Sequence, residues 1–373
     1  MRKLLNSMSL AAMFALCGTA MAQETVWHNP LDVPAGKTFV HNQVWNEDGG
    51  NYARLPMRAK DKVREAVWDL SRNSAGITLR FKTDAKDINV KYTVGGGMSM
   101  PHMPATGVSG VDLYRDRDKG FCFGSYSFGD TVRYSYCVDR GVRPGAMEEF
   151  TLYLPLYNTV NEMWIGVPDG SRFEFVEPEA VKPLVLYGTS IAQGACASRP
   201  AMAWGNILSR NLGMPLVNLG FSGNGRLEPE LIDMINEIDA EAIMLDCMPN
   251  LIGRSSEEIE SLVTEAVKQI RKVHPDVPVV LIEHAGYSNA PTNEVKFYEY
   301  DHSNKAQRKA YEALKTSGVK NLYYIERGDL GVLPEGIVDY VHPSDLGMMR
   351  QATAVERHLR KILKWKIALN DIP

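Results

Sequence analysis

Leu184-Val185-Leu186-Tyr187-Gly188-Thr189-Ser190-Ile191-Ala192-Gln193-Gly194 is the stretch that decides the fold. Four apolar or aromatic residues predict a short buried strand, and the glycine after them permits a tight turn where a Cβ would be crowded. The turn delivers Ser190 to the end of that strand. In open α/β sheets ligands bind outside the carboxyl ends of the strands, so a hydroxyl presented there has a place for substrate beside it. Alone, a Gly-x-Ser stretch favours an ordinary turn over a catalytic serine. Its weight depends on what the rest of the chain supplies.

Downstream, short buried runs recur at Leu216–Leu219, Ala242–Leu245, Val279–Ile282 and Leu322–Ile325, each followed by a stretch able to form a helix. Ser255-Ser-Glu-Glu258 makes a capping box, after which Ile259, Leu262, Val263, Ala266 and Ile270 fall on one helical face. The tail from Ser344 to about Trp365 predicts a last amphipathic helix. Strand and helix alternating five times imply a parallel sheet covered on both faces.

Upstream the period is two. Ile77–Phe81, Ile88–Val94, Phe150–Leu154 and Met163–Val167 alternate as strands do, with turn-rich pieces between them and no convincing amphipathic helix. Many short strands predict an all-β sandwich, with carbohydrate binding, shielding of the second domain or completion of the active-site wall as its roles. One loop, Met98 to Tyr114, carries three methionines, His102 and two prolines. Methionine is adaptable and apolar, so the loop packs against something: the second domain's site, or the sandwich's own end. Its Met and His side chains raise a metal, but no second cluster of ligands in the sequence completes a coordination shell. Around Pro178 to Pro183 the composition becomes that of a linker.

Residues 1–22 read as a secretory signal, with Arg2 and Lys3 as the positive start, Leu10 to Leu16 as the apolar middle and Ala20-Met21-Ala22 as the cleavage site. The apolar run is too short for a membrane span. Cys17 invites a lipoprotein reading, which the bulky Leu16 before it disfavours. The expected division is therefore signal 1–22, sandwich 23–178 and α/β domain 179–373, with export to the periplasm, cell surface or medium. Loss of Arg2 and Lys3 takes the formal net charge from −4 to −6, and no cationic face for nucleic acid shows. Hydrophobic content of 45% against 23% charged residues excludes a disordered chain. Export permits disulfides among Cys122, Cys137, Cys196 and Cys247; pairing within each half is the weak preference and free thiols the alternative.

In a parallel sheet the residues just after each strand gather on one rim. Those here are Gly188-Thr189-Ser190, Gly220-Phe-Ser222-Gly223-Asn224-Gly225, Asp246-Cys-Met-Pro-Asn250 and Glu283-His284-Ala-Gly286-Tyr287, with Asp339-Tyr-Val-His342 before the last helix. A serine becomes nucleophilic through a base, usually an imidazole held in one tautomer by a carboxylate, and Asp339-x-x-His342 supplies both. Charge developing on an attacked carbonyl needs donors, which the N–H groups of Ser190 and Gly223 and the Asn250 amide offer.

These four blocks, in this order, resemble those of the SGNH, or GDSL-type, hydrolases over roughly residues 183 to 365. The resemblance implies an α/β fold: a flavodoxin-like three-layer α/β/α domain with strand order 2-1-3-4-5. It also implies Ser190 as nucleophile, His342 as base, Asp339 as its orienting acid, and Gly223 and Asn250 as oxyanion donors. Gly110-Val-Asp112-Leu113-Tyr114 is similar to the motif of a β-domain that precedes certain members. Thr189 stands where the family name has Asp, and Met248-Pro249-Asn250 replaces the usual Gly-x-Asn-Asp. Arg199, His284 and His102 are candidate substrate-binding residues, each with a structural alternative: an ion pair for Arg199 and a hydrogen-bonded wall position for the histidines. The expectation is an exported serine esterase acting on O-acyl, foremost O-acetyl, groups of carbohydrate without metal or organic cofactor. Lipid, aryl or sugar methyl esters, or an inactive carbohydrate-binding surface protein, are the alternatives.

Overall fold

The computed structural model describes residues 23–34, 36–46, 51–141 and 145–364. The proposed signal, and Trp365 at the predicted end of the last helix, lie outside them. Among the described residues no helix is long and apolar enough to cross a membrane.

The chain is an α/β protein with a β-rich N-terminal region, as its periodicity predicts. One antiparallel sheet runs Thr25–His28, Val160–Pro168, Asp87–Val94, Val132–Cys137, Gly124–Ser127 in spatial order; the second runs Phe173–Phe175, Thr78–Thr83, Glu148–Tyr153, Asp112–Arg115, Gly120–Cys122, with Val40–His41 beside Thr78–Thr83. Strict alternation of buried and exposed residues along Val132–Cys137 shows why. Its inward residues Val132, Tyr134 and Tyr136 meet Ile88, Val90, Leu79, Phe81, Phe150 and Leu152 in one core between the sheets.

The second domain is a parallel sheet of β1 (Leu184–Gly188), β2 (Leu216–Gly220), β3 (Ala242–Asp246), β4 (Val279–Ile282) and β5 (Leu322–Ile325). Their spatial order is β2-β1-β3-β4-β5, the 2-1-3-4-5 arrangement. Because successive side chains point to opposite faces, Val185 and Tyr187 join one core and Leu184 and Leu186 the other. The first core is covered by α2 (Pro229–Ile235), α3 (Ser256–Val273) and α4 (Glu294–Thr316), the second by α1 (Trp204–Leu212) and α5 (Asp345–Ile362). The predicted capping box is present: Glu258 N–H donates to Ser255 Oγ at 3.2 Å and Ser255 N–H to Glu258 Oε2 at 2.9 Å. Ile259, Val263, Ala266 and Ile270 are buried and Leu262 partly so.

Two sequence expectations need correction. The N-terminal half does contain a helix, Glu65–Ser71, preceded by a short 3-10 turn at Met57–Ala59. It fully buries only Val67 and Ser71, too short a stripe to register as a period. This segment belongs to the α/β domain's packing: Trp45, Leu55, Ala59 and Val67 enter the core beneath α2 and α3, while Met103, Val108 and Leu156 enter the core beneath α1 and α5. The four cysteines among the described residues are free, against the weak preference for pairing within each half. Cys247 Sγ, buried, donates to Tyr187 O at 3.8 Å, and Cys196 faces histidines rather than a second sulfur.

Strand β2 lies at the edge of the sheet, and its outer polar groups are met by the first domain. Leu216 N–H donates to Asn42 Oδ1 at 3.3 Å, and Arg54 Nη1 donates to Asn218 O at 3.4 Å and to Gly220 O. Arg54 also donates to Asn73 O at 2.9 Å and Leu70 O at 2.6 Å, and its guanidinium lies 4.8 Å from the centre of the Phe221 ring. Burial, with Arg72 nearby, lowers its pKa to about 9, so the group remains a cation at neutral pH. Replacing Arg54 by Leu strands these buried carbonyls and lowers unfolding free energy by ~3 kcal/mol. Urea or guanidinium unfolding of Arg54→Leu against the wild type measures the shift.

Candidate active site

Gly188 ends β1, and the chain turns into a single helical turn, Ser190–Gln193, closed by Gly194 at φ 109°. Thr189 Oγ1 accepts from Ile191 N–H at 3.3 Å, so threonine caps this turn at the position where the family name has aspartate. Ser190 is 8% exposed, its backbone carbonyl held by the Tyr157 hydroxyl at 3.3 Å.

Ser190 Oγ lies 2.8 Å from His342 Nε2, and His342 Nδ1 lies 2.7 Å from Asp339 Oδ2. The other carboxylate oxygen, Asp339 Oδ1, accepts from the backbone N–H groups of Val341 at 2.8 Å and His342 at 2.9 Å. Burial pushes the Asp339 pKa up, but the backbone N–H groups of His342 and Val341, with the His342 ring, outweigh it and hold the pKa at about 2. A carboxylate permanently beside Nδ1 keeps the imidazole proton there. The Nε2 lone pair then faces the serine hydroxyl, the arrangement that lets a histidine take its proton.

The glycine loop after β2 sits against this turn. Gly223 has φ +70°, a conformation that favours glycine, and among the described residues neither its N–H nor that of Ser190 has an acceptor. Asn250 Oδ1 accepts from Gly225 N–H at 3.0 Å, which fixes the carboxamide and leaves Nδ2 as a donor without a partner among the described residues. Gly225 in turn touches Gly188: a Cβ on it would come within 2.3 Å of Gly188 O. Ser190, Gly223, Asn250, Asp339 and His342 are thus gathered at one end of the sheet.

The three remaining candidates divide. His102 is exposed and its ring centre lies 5.7 Å from that of His342, so the methionine-rich loop reaches the second domain's site. Arg199, a candidate for substrate contact or for a structural ion pair, takes the second role: it is held by Asp112 at 2.9 Å, Tyr114 OH at 3.1 Å and the face of Phe121 at 3.9 Å. It is an ion pair between domains, with Asp112 of the Gly-x-Asp-Leu-Tyr motif also accepting from Ala201 N–H at 2.8 Å. His284 is fully buried and offers substrate no surface. Burial, helped by Arg327 and Lys296, lowers its pKa to about 3, and the neutral ring accepts Gly286 N–H on Nδ1 at 2.8 Å. His102 also meets Cys196, Asp339 and His342, whose ligand atoms all lie within 4.8 Å of one another. The cluster that the sequence showed no sign of completing is assembled from three separate segments.

Sequence reasoning missed Gln193. Fully buried, it accepts Ser222 N–H on Oε1 at 3.0 Å and donates to Leu156 O at 3.1 Å, tying the nucleophile turn to the glycine loop and to the first domain. Its signal was a lone amide in the apolar turn Ile191-Ala-Gln193-Gly194.

A three-layer α/β/α sheet carrying a hydrogen-bonded serine, histidine and aspartate at the ends of its strands defines a hydrolase of the SGNH type. Residues 181–360 match the GDSL-like lipase/acylhydrolase family and residues 25–173 the N-terminus of SGNH-hydro-type esterases. The chain is similar over 92% of its length, at 32% identity and a TM-score of 0.83, to a protein from Bacteroides ovatus described as a GDSL-like lipase, 99% of which is covered. It belongs to the GDSL-like lipase/acylhydrolase family. The fold is shared with a family two carbohydrate esterase from Clostridium thermocellum (12% identity, 78% of this chain and 93% of that one, TM-score 0.55). It is also shared with an acetyl xylan esterase from Butyrivibrio proteoclasticus (10% identity, 91% and 100%, TM-score 0.51). No curated protein matches.

Asp246, at the end of β3 beneath the site, is fully buried with one long contact, from Gln351 Nε2 at 3.4 Å, and burial raises its pKa from 3.8 to about 7. A raised acid favours folding while protonated, so this contribution is complete below 3.8 and is lost as pH rises through 7. Asp246→Asn, which cannot ionise, gains on the wild type by about 4 kcal/mol between about pH 4 and about pH 8. Thermal melts of both proteins at the two pH values test this, and equal differences at both would refute it.

Proposed function

We propose that this protein is an exported serine esterase that removes O-acyl groups, foremost O-acetyl, from carbohydrate. The observation that carries the reading is the chain Ser190 Oγ to His342 Nε2 to Asp339 at 2.8 and 2.7 Å. Ser190 Oγ attacks the ester carbonyl while His342 Nε2 takes its proton. The Ser190 and Gly223 N–H groups and Asn250 Nδ2 receive the oxyanion. His342 then protonates the departing alcohol, leaving an acyl-enzyme. Water, deprotonated by the same Nε2, attacks that ester and frees the acid and Ser190. Asp339 stays ionised and stabilises the imidazolium formed in each half.

Carbohydrate as the alcohol part is supported by the carbohydrate esterases that share the fold. The signal at residues 1–22 supports export. A second reading, esters with an aryl or bulkier acyl part, is favoured by a cavity of about 340 Å³ lined by Tyr287, Phe297, Tyr300 and Leu333. It adjoins the histidine loop through Ile337.

Ser190→Ala lowers kcat on an aryl acetate by at least about 10⁴-fold while the protein stays folded. Asn250→Ala lowers it by about 10²–10³-fold. Acetate released from a panel of acetylated polysaccharides, with Ser190→Ala as control, supports carbohydrate deacetylation; methanol, or an aromatic or fatty acid, as the only product rejects it.

A further inference from the structure

We propose that His102, Cys196, Asp339 and His342 form a binding site for a thiophilic divalent cation, with Zn²⁺ as its type, that switches the esterase off. The inference rests on the serine-esterase reading for its consequence, though not for the existence of the site. One nitrogen from each histidine, Cys196 Sγ and an Asp339 oxygen lie within 4.8 Å of one another. Two imidazoles, a thiolate and a carboxylate are a donor set suited to zinc. Ligands of a tetrahedral zinc at ordinary bond lengths sit roughly 3.3–3.8 Å apart, so the widest pair closes by about 1 Å, within reach of the exposed His102 side chain, while His342 Nδ1 and Asp339 Oδ2, now 2.7 Å apart, open to admit the ion.

Two features hold the donors in place ahead of any ion. The loop bearing His102 is seated on the segment after the nucleophile: Met103 is 1% exposed, Thr106 Oγ1 donates to Ser198 O at 2.7 Å, and Gly107 lies where a Cβ would come within 2.3 Å of Ala197 O. Cys196 has φ +69°, left-handed backbone that a cysteine adopts only when its surroundings impose it. That conformation belongs to a buried thiol that the ester chemistry does not use. Its sulfur lies beside the Asp339–His342 pair, and the four cysteines among the described residues are all free.

The chemistry of inhibition follows from the tautomer. The cation binds the Nδ1 lone pair of His342 and an Asp339 oxygen, replacing the hydrogen bond of 2.7 Å between them. The ring proton leaves Nδ1, and a neutral imidazole coordinated there carries its proton on Nε2. Nε2 then donates, and Ser190 has lost its base. Cys196 binds as thiolate and releases one proton to water. No electron changes hands.

Co²⁺ is the spectroscopic probe, used on the full chain with Cys122 and Cys137 replaced by Ser to remove the other accessible thiols. The expected result is one equivalent of cobalt bound, with thiolate-to-cobalt absorption and the visible bands of tetrahedral cobalt, in Ser190 and Ser190→Ala forms alike. Both signals are displaced by Zn²⁺. Cys196→Ser abolishes the thiolate band, and His102→Ala weakens binding at least tenfold. On an aryl acetate, Zn²⁺ inhibits the wild type and a chelator restores it, while Cys196→Ser still hydrolyses the ester and is at least tenfold less sensitive. Absence of the thiolate band, or zinc inhibition unchanged in both Cys196→Ser and His102→Ala, overturns the proposal. Because the cobalt spectrum is read on Ser190→Ala, failure of the metal site and failure of the esterase reading are separate results.

Discussion

The free edge of strand β2 is the constraint from which the architecture follows. An edge strand exposes a row of backbone donors and acceptors, and natural sheets cover such rows. Here Asn42 and Arg54 supply the cover, taking the groups of Leu216, Asn218 and Gly220. These outer groups are those of alternate residues, as parallel pairing of β2 with β1 requires. Because β2 leads directly into the glycine loop, the residues that protect the edge also set the position of Gly223. The first domain is therefore part of the framework of the site.

The two domains meet on both faces as well as at the edge. Trp45, Leu55 and Val67 pack beneath α2 and α3, Met103 and Leu156 beneath α1 and α5, and each such side chain contributes about 1.5–3 kcal/mol on full burial. Polar contacts fix the register of that apolar packing: Arg199 with Asp112, Thr106 with Ser198, Gln193 with Leu156. The segment after the nucleophile is gripped from both sides, since Ser198 N–H and Oγ donate to Asp345 at the start of α5, three residues after His342. Ser190, His342 and His102 are held by one network, which explains why a loop from the β-domain arrives beside the His342 imidazole.

Electrostatics at the rim follows from which charges are solvated by backbone. Asp339 is ionised because two N–H groups and an imidazole face it; Asp246, a few residues from Asn250 and fully buried, has one long amide contact among the described residues and is pushed the other way. Environment, not residue type, separates their behaviour. Thr189 shows the same economy: a hydroxyl caps the nucleophile turn without placing a charge beside Ser190.

Periodicity in the sequence sufficed for the parallel sheet, its helices and the β-strands of the first half, because burial on one or both faces leaves a repeat of two or 3.6 residues. Local order also sufficed to nominate Ser190, Gly223, Asn250, Asp339 and His342, since each follows a strand or precedes a helix whose direction is set. It did not suffice for Glu65–Ser71, whose stripe is two residues, nor to name Asp112 and Tyr300 as the partners of Arg199 and His284, because these lie in other segments. Arg54, Gln193 and the approach of His102 to Cys196 and His342 were settled only by tertiary structure. Hydrogen bonds and ligand clusters join residues far apart in the chain, and distance in sequence carries no record of them.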